Sequence, residues 1–144
     1  STVAVWLMVV LWSGTACNFL GGFNDTEEII GVVSKDITST APLVAPDTVQ
    51  SGIAFDVTVT TFGPNLCWKA AREEVERKPM RVTITPYDKR PSSGAMCATA
   101  IAEMERTVSV TFEETGHGTI VVKGRDGWGD NPEPVTLTKT VMVE

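Results

Sequence analysis

The arrangement of apolar and polar positions changes once along this 144-residue chain. Residues 1–23, STVAVWLMVVLWSGTACNFLGGF, hold no Asp, Glu, Lys or Arg, and the first charged side chain is Asp25. A helix of about 20 apolar residues rises about 30 Å, which matches the hydrocarbon core of a bilayer. The pattern therefore predicts a single transmembrane helix over residues 1–23. Trp6, Leu7, Met8, Val9, Val10, Leu11 and Trp12 form its apolar centre, and Asn18 is its one strongly polar side chain. Residues 24–46 read as a juxtamembrane connector, stiffened by Pro42 and Pro46.

From residue 47 the pattern becomes an alternation of period two, rich in β-branched residues. Phe55, Val57 and Val59 alternate with Asp56, Thr58 and Thr60; Met80, Val82 and Ile84 alternate with Arg81, Thr83 and Thr85. Val108, Val110 and Phe112 share a third face, and Ile120 and Val122 a fourth. Val135, Leu137, Val141 and Val143 close the chain, with a slip near Thr138 that reads as a bulge. Gly, Pro, Asn and Asp cluster between these runs, and no long amphipathic helix intervenes. The prediction is an antiparallel, immunoglobulin-like β-sandwich over residues 47–144. One segment stays open. In KAAREEVERK, residues 69–78, the pairs Lys69–Glu73, Arg72–Glu76, Glu73–Arg77 and Glu74–Lys78 suit a helix turn. The same residues suit an exposed edge strand equally well.

Charge narrows the partners. The net charge is −6, the pI is about 4.8, and no run of Lys and Arg appears. That argues against nucleic acid and against docking on anionic headgroups. Cys67 and Cys97 are the two thiols of the β-rich region, and they fit one disulfide in an oxidising compartment. Closing a loop of about 30 residues would stabilise by roughly 3 kcal/mol.

Candidate chemistry is sparse. His117, the only histidine, lies in the turn-like ETGHGT with no signalled nucleophile or orienting acid. Zinc would need about four ligands, which this chain does not supply. In DGWGDN, Asp126, Asp130 and Asn131 offer a weak oxygen set for calcium, without the spacing of a helix–loop–helix site. Trp128 in that loop reads either as an anchor for a protein partner or as a cap folded over the sandwich end. Trp68, beside Cys67, is expected to pack over the disulfide in the core. No enzyme activity and no resident metal or cofactor is expected.

Within the span, Ser13, Gly14, Thr15, Ala16 and Cys17 are small residues that let another helix approach closely, flanked by Trp6 and Trp12. The absence of His from the span leaves room for lipid or pigment contact without axial ligation. Gly14-Thr15-Ala16-Cys17 also resembles the lipobox of bacterial lipoproteins, in which Cys17 would carry the lipid, though Gly14 stands where that family usually has Leu. A retained anchor is the expectation, and a free-standing periplasmic binding or adhesion module lipidated at Cys17 the alternative.

The string APDTVQSGIAFDVTVTTFGPNLCW, then RVTITPYD, a second Cys and TVSVTFEETGHGTIVVKGR, resembles immunoglobulin-like domains of uncharacterised bacterial envelope lipoproteins. The resemblance implies a sandwich fold, a periplasmic location and Cys67–Cys97 as the disulfide, and it implies no activity. A fainter resemblance is to an accessory subunit of photosynthetic reaction centre–light-harvesting complexes. The function expected is that of a non-enzymatic, single-pass subunit of a bacterial membrane complex, with its partners the other subunits and the bilayer.

Overall fold

A computed structural model describes residues 27–92 and 96–144. The chain forms β1 (Glu27–Ile30), β2 (Leu43–Val44), β3 (Thr48–Val49), β4 (Phe55–Gly63), β5 (Lys69–Lys78), β6 (Arg81–Arg90), β7 (Ala102–Val110), β8 (Gly116–Asp126) and β9 (Glu133–Val143). Strands β5, β6, β8, β9 and β3 lie side by side in the larger sheet, with β1 also on β6; β2, β4 and β7 form the smaller. The fold is mainly β, with sheets consistent with a sandwich. Among the described residues no helix is long and apolar enough to cross a membrane. The helix expected over residues 1–23, with its candidate contacts Trp6, Trp12, Ser13, Gly14, Ala16 and Cys17, lies outside them.

The residues that alternate along the sequence meet between the sheets. Val57 and Val59 of β4 and Val108 and Val110 of β7 join Val82, Ile84, Ile120, Val122, Val141 and Val143 in one buried cluster, with Phe112 among them. β7 begins earlier than its apolar run suggests, because the inward position at its middle is Arg106. That guanidinium meets Asp88 of β6. Arg106 Nη2 lies 2.5 Å from Asp88 Oδ1 and donates to Thr61 Oγ1 at 2.8 Å, while Nη1 donates to the Tyr87 carbonyl at 3.1 Å. Thr61 Oγ1 in turn donates to Asp88 Oδ1 at 3.0 Å. Beyond this layer sits a second, smaller cluster of Trp68, Ala102 and Met104.

Several expectations need correction. Residues 27–46 are not a connector outside the domain. β1 pairs with the end of β6, Glu27 opposite Arg90 through Ile30 opposite Tyr87. Residues 31–33 then bond to both sheets: Gly31 N to Pro86 O, Arg125 N to Gly31 O, Val33 N to Arg125 O, and Phe62 N to Val32 O. Val32 and Val33 are fully buried, which explains the apolar patch in that stretch. A Cβ on Gly31 would stand 2.5 Å from Thr61 Cγ2 and 2.8 Å from Asp88 Oδ2, so only glycine fits there.

The sandwich is also not wholly antiparallel. β3 runs parallel to β9, and β6 runs parallel to β8. In an immunoglobulin sandwich the first strand of the corresponding hairpin lies beside the penultimate strand; here the second one, β6, does. β8 pairs with β6 as far as Ile84 and β1 takes over from Tyr87. Pro86 stands at this junction, where its missing N–H leaves no ladder partner orphaned.

The open segment 69–78 is a strand. It pairs with β6 from Lys69 opposite Lys89 to Lys78 opposite Arg81, with an irregularity between Ala70 and Arg72. A ten-residue helix is marginal alone, whereas β6 offers a full-length ladder. Arg72 therefore finds partners along the sheet: Glu28 of β1 at 2.9 Å, Glu74 of its own strand at 3.0 Å, and the ring of Tyr87 opposite it, 4.1 Å away. The bulge expected near Thr138 is absent, since the β8–β9 register runs unbroken from Gly116 opposite Val143 to Asp126 opposite Glu133. Lys139 simply holds an inward-parity position at the rim, with its Nζ 2.8 Å from Asp47 Oδ1.

Removing one partner of a buried ion pair leaves the other charge unpaired, at a cost of about 3–5 kcal/mol. Asp88→Ala is expected to lose that much in denaturant unfolding. The double replacement Asp88→Leu with Arg106→Met should recover most of it, because no charge is then buried.

Candidate functional site

Chemistry-bearing side chains gather at one end of the sandwich. Cys67 follows β4 and Cys97 precedes β7; they form a disulfide with their Cα atoms 5.6 Å apart. The Asn65 side chain accepts a hydrogen bond from Cys67 N at 3.0 Å and so shapes the turn that presents the sulfur. The β5–β6 hairpin lies wholly inside the loop this bond closes. Trp68 is buried and packs with Ala102 and Met104 rather than in the main core. Its close seat depends on Gly63, where a Cβ would stand 2.6 Å from Trp68 Cβ.

Trp128 folds back. Gly127 has φ +96°, a left-handed conformation that turns the loop inward. The indole Nε1 then donates to the Phe62 carbonyl at 2.9 Å, and the half-buried ring packs against the Trp68 cluster beside Ile29. Of the two readings of Trp128, the cap over the sandwich end describes its position. Asp126 Oδ1 accepts from Ser34 Oγ at 2.5 Å, and Asp130 and Asn131 are exposed. Among the described residues no group of three or more His, Cys, Asp or Glu side chains is placed to hold a metal. His117 lies exposed at the start of β8, opposite Met142.

Among the described residues, two surface recesses stand out. The larger, about 630 Å³, lies between residues 35–43 and positions 136–140 of β9. Met142 and Glu144 direct their N–H groups to Asp47 and Val49, so the even-numbered Thr136, Thr138 and Thr140 turn their main chain to the same, open edge. Lys139 and the neighbouring loop blunt that edge, as natural sheets commonly do. Five threonines line it together with Lys35, Asp36 and Lys139. Lys139 is already paired with Asp47, and no aromatic ring lines the recess among the described residues, so its size alone does not make it the better candidate.

The smaller recess, about 300 Å³, opens beside the disulfide. Ile29, Asn65, Trp68, Arg90, Arg125 and Trp128 line it. The two arginines were not singled out from the sequence, since they lie on β6 and β8 and converge only through the fold. Burial pushes the Arg125 guanidinium below its ordinary value, and the nearby positive charge of Arg90 adds to that; Asp88 and Glu27 oppose it. Two cations, two indoles and an amide on rigid strands and a disulfide-held turn form a surface suited to binding. No protein-family model matches the chain, and comparison with curated proteins and with solved structures returns no match.

The disulfide is expected to stabilise the fold by about 3 kcal/mol. Replacing both Cys67 and Cys97 with Ala should lower the unfolding free energy by that amount. Thiol labelling of the denatured, unreduced protein should modify neither cysteine, and labelling of both would exclude the bond in the native chain.

Proposed function

We propose that this protein is a non-enzymatic, membrane-anchored accessory subunit of a bacterial membrane protein complex. In this reading residues 1–23 are a single-pass helix and the immunoglobulin-like sandwich lies in the periplasm. The observation that carries it is where the chain joins the sandwich. β1 starts at Glu27, opposite Arg90, at the end that bears the disulfide, Trp128 and the smaller recess. Four Cα–Cα steps separate Phe23 from Glu27, and four steps reach at most about 14 Å. A span ending at Phe23 thus holds that end, and no other, against whatever the span is seated in. Such a tether raises the effective concentration of the domain at its docking surface. The Cys67–Cys97 disulfide supports an oxidising compartment.

The small residues Ser13, Gly14, Ala16 and Cys17 would give the helix a close-packing face, with Trp6 and Trp12 toward lipid, pigment or protein. A more specific proposal is a subunit of a photosynthetic reaction centre–light-harvesting complex, and it rests on the resemblance noted above. The second reading is a free-standing lipoprotein, favoured by the small residues before Cys17.

A photo-crosslinker at exposed Leu66 is expected to capture another membrane protein, and one at Glu113, at the opposite end, is expected to capture none. Equal capture from both sites would remove the tether argument. The mass of the native chain separates the two readings: residues 1–16 retained without acyl groups supports the anchor, and a diacylglyceryl adduct on Cys17 sinks it.

A further inference from the structure

The recess beside the disulfide carries more positive charge than packing that end requires. The guanidinium of Arg90 is exposed and makes no ion pair or hydrogen bond among the described residues. Arg125 spends Nε on the Ile30 carbonyl at 2.7 Å, which fixes the side chain and leaves its terminal nitrogens, Nη1 and Nη2, for another acceptor. The carboxylates nearby do not fill that role. Asp88 holds Arg106 through Oδ1 while its buried Oδ2 bonds to neither arginine of the recess, and Asp126 accepts from Ser34. Glu27 stands opposite Arg90 in the β1–β6 register but reaches an ion pair with neither arginine among the described residues.

Two like charges held within range of one another are stabilised by an anion between them. The identity of the anion follows from the number of donors. A single guanidinium fork satisfies a planar carboxylate, whereas a tetrahedral phosphate offers oxygens to two forks at once. Trp68 and Trp128 add apolar walls, and the Trp128 ring is held in place by its bond to Phe62. A volume of about 300 Å³ lies at the small end for ligand pockets and suits a phosphate carrying a group of glycerol size.

We propose that this recess binds a phosphate group, held between Arg90 and Arg125, with the attached organic part against Trp68 and Trp128. The same chemistry is presented by a small soluble phosphoester and by a single phospholipid headgroup; the net charge of −6 disfavours docking on an anionic surface as a whole, not one phosphate held between two arginines. The proposal stands on the recess alone and does not depend on residues 1–23 crossing a membrane.

The test is calorimetric titration of the full chain in dodecyl maltoside micelles free of phospholipid. The probes are sn-glycerol 3-phosphate, dihexanoylphosphatidylglycerol and acetate. One-site binding of at least one phosphoester, tighter than acetate, is expected. Binding of glycerol phosphate assigns a soluble ligand, and binding of the short-chain lipid alone assigns a headgroup. Arg90→Gln should weaken binding about tenfold, the loss of a charge-assisted bond, at an unchanged melting temperature because Arg90 supports no packing. Arg90→Lys should recover part of it. Arg125→Gln also gives up the bond to Ile30, so it serves as a second variant only where its melting temperature holds. The proposal is overturned if neither phosphoester binds, if acetate binds as tightly, or if folded Arg90→Gln binds like the wild type.

Discussion

The Arg106–Asp88 pair sets the terms on which the two sheets meet. It lies where the aliphatic core ends, with side chains 6% and 0% exposed, and it ties β7 to β6 through Thr61 of β4. Charges so placed cost desolvation, so their contribution lies less in net stability than in what they forbid. A one-residue slip of β6 or β7 would turn one partner to solvent and leave the other buried alone. The aliphatic cluster would tolerate many near-equivalent packings. This pair accepts one register, and the position of everything beyond it, including Trp68, Met104 and the disulfide, follows from that register.

Residues 31–33 supply the second constraint. They fill the gap left where β8 diverges from β6, and they bond to strands of both sheets. The fit is close enough that side chains are excluded at two points, Gly31 against Thr61 and Asp88, and Gly124 against Val33. Arg125 is positioned by the same contacts, because its main chain bonds to Gly31 and Val33 and its Nε to Ile30. One of the two cations of the recess is thus placed by the first segment to join the fold, and the other by the strand that segment covers.

The parts of the fold legible in the sequence were those governed by alternation. β4, the first half of β6, β8 and β9 each place apolar residues on one face, and Cys67 and Cys97 were the only two thiols available in the β-rich region. The parts that escaped obey longer-range physics. β1 is a four-residue strand, EEII, with no alternation to mark it. The first half of β7 was hidden by an arginine at an inward position, which reads as a break until its partner on β6 is known. The parallel β6–β8 ladder and the convergence of Arg90 with Arg125 are properties of strand order. Local pattern is compatible with β5 as an outer strand, since KAAREEVERK buries no residue, but it does not specify whether β6 meets β8 in parallel or antiparallel.

The placement of β1 also determines how the domain bears mechanical load. A pull delivered at Glu27 along the axis of β1 would strain its four pairings with β6 and the bonds of residues 31–33 together, in shear. They do not open one after another as a peeled edge would. β6, which takes the load, belongs to the hairpin enclosed by the Cys67–Cys97 bond, so the strand under tension is part of a covalent ring. A domain pulled from its first strand is here gripped at its most strongly braced point.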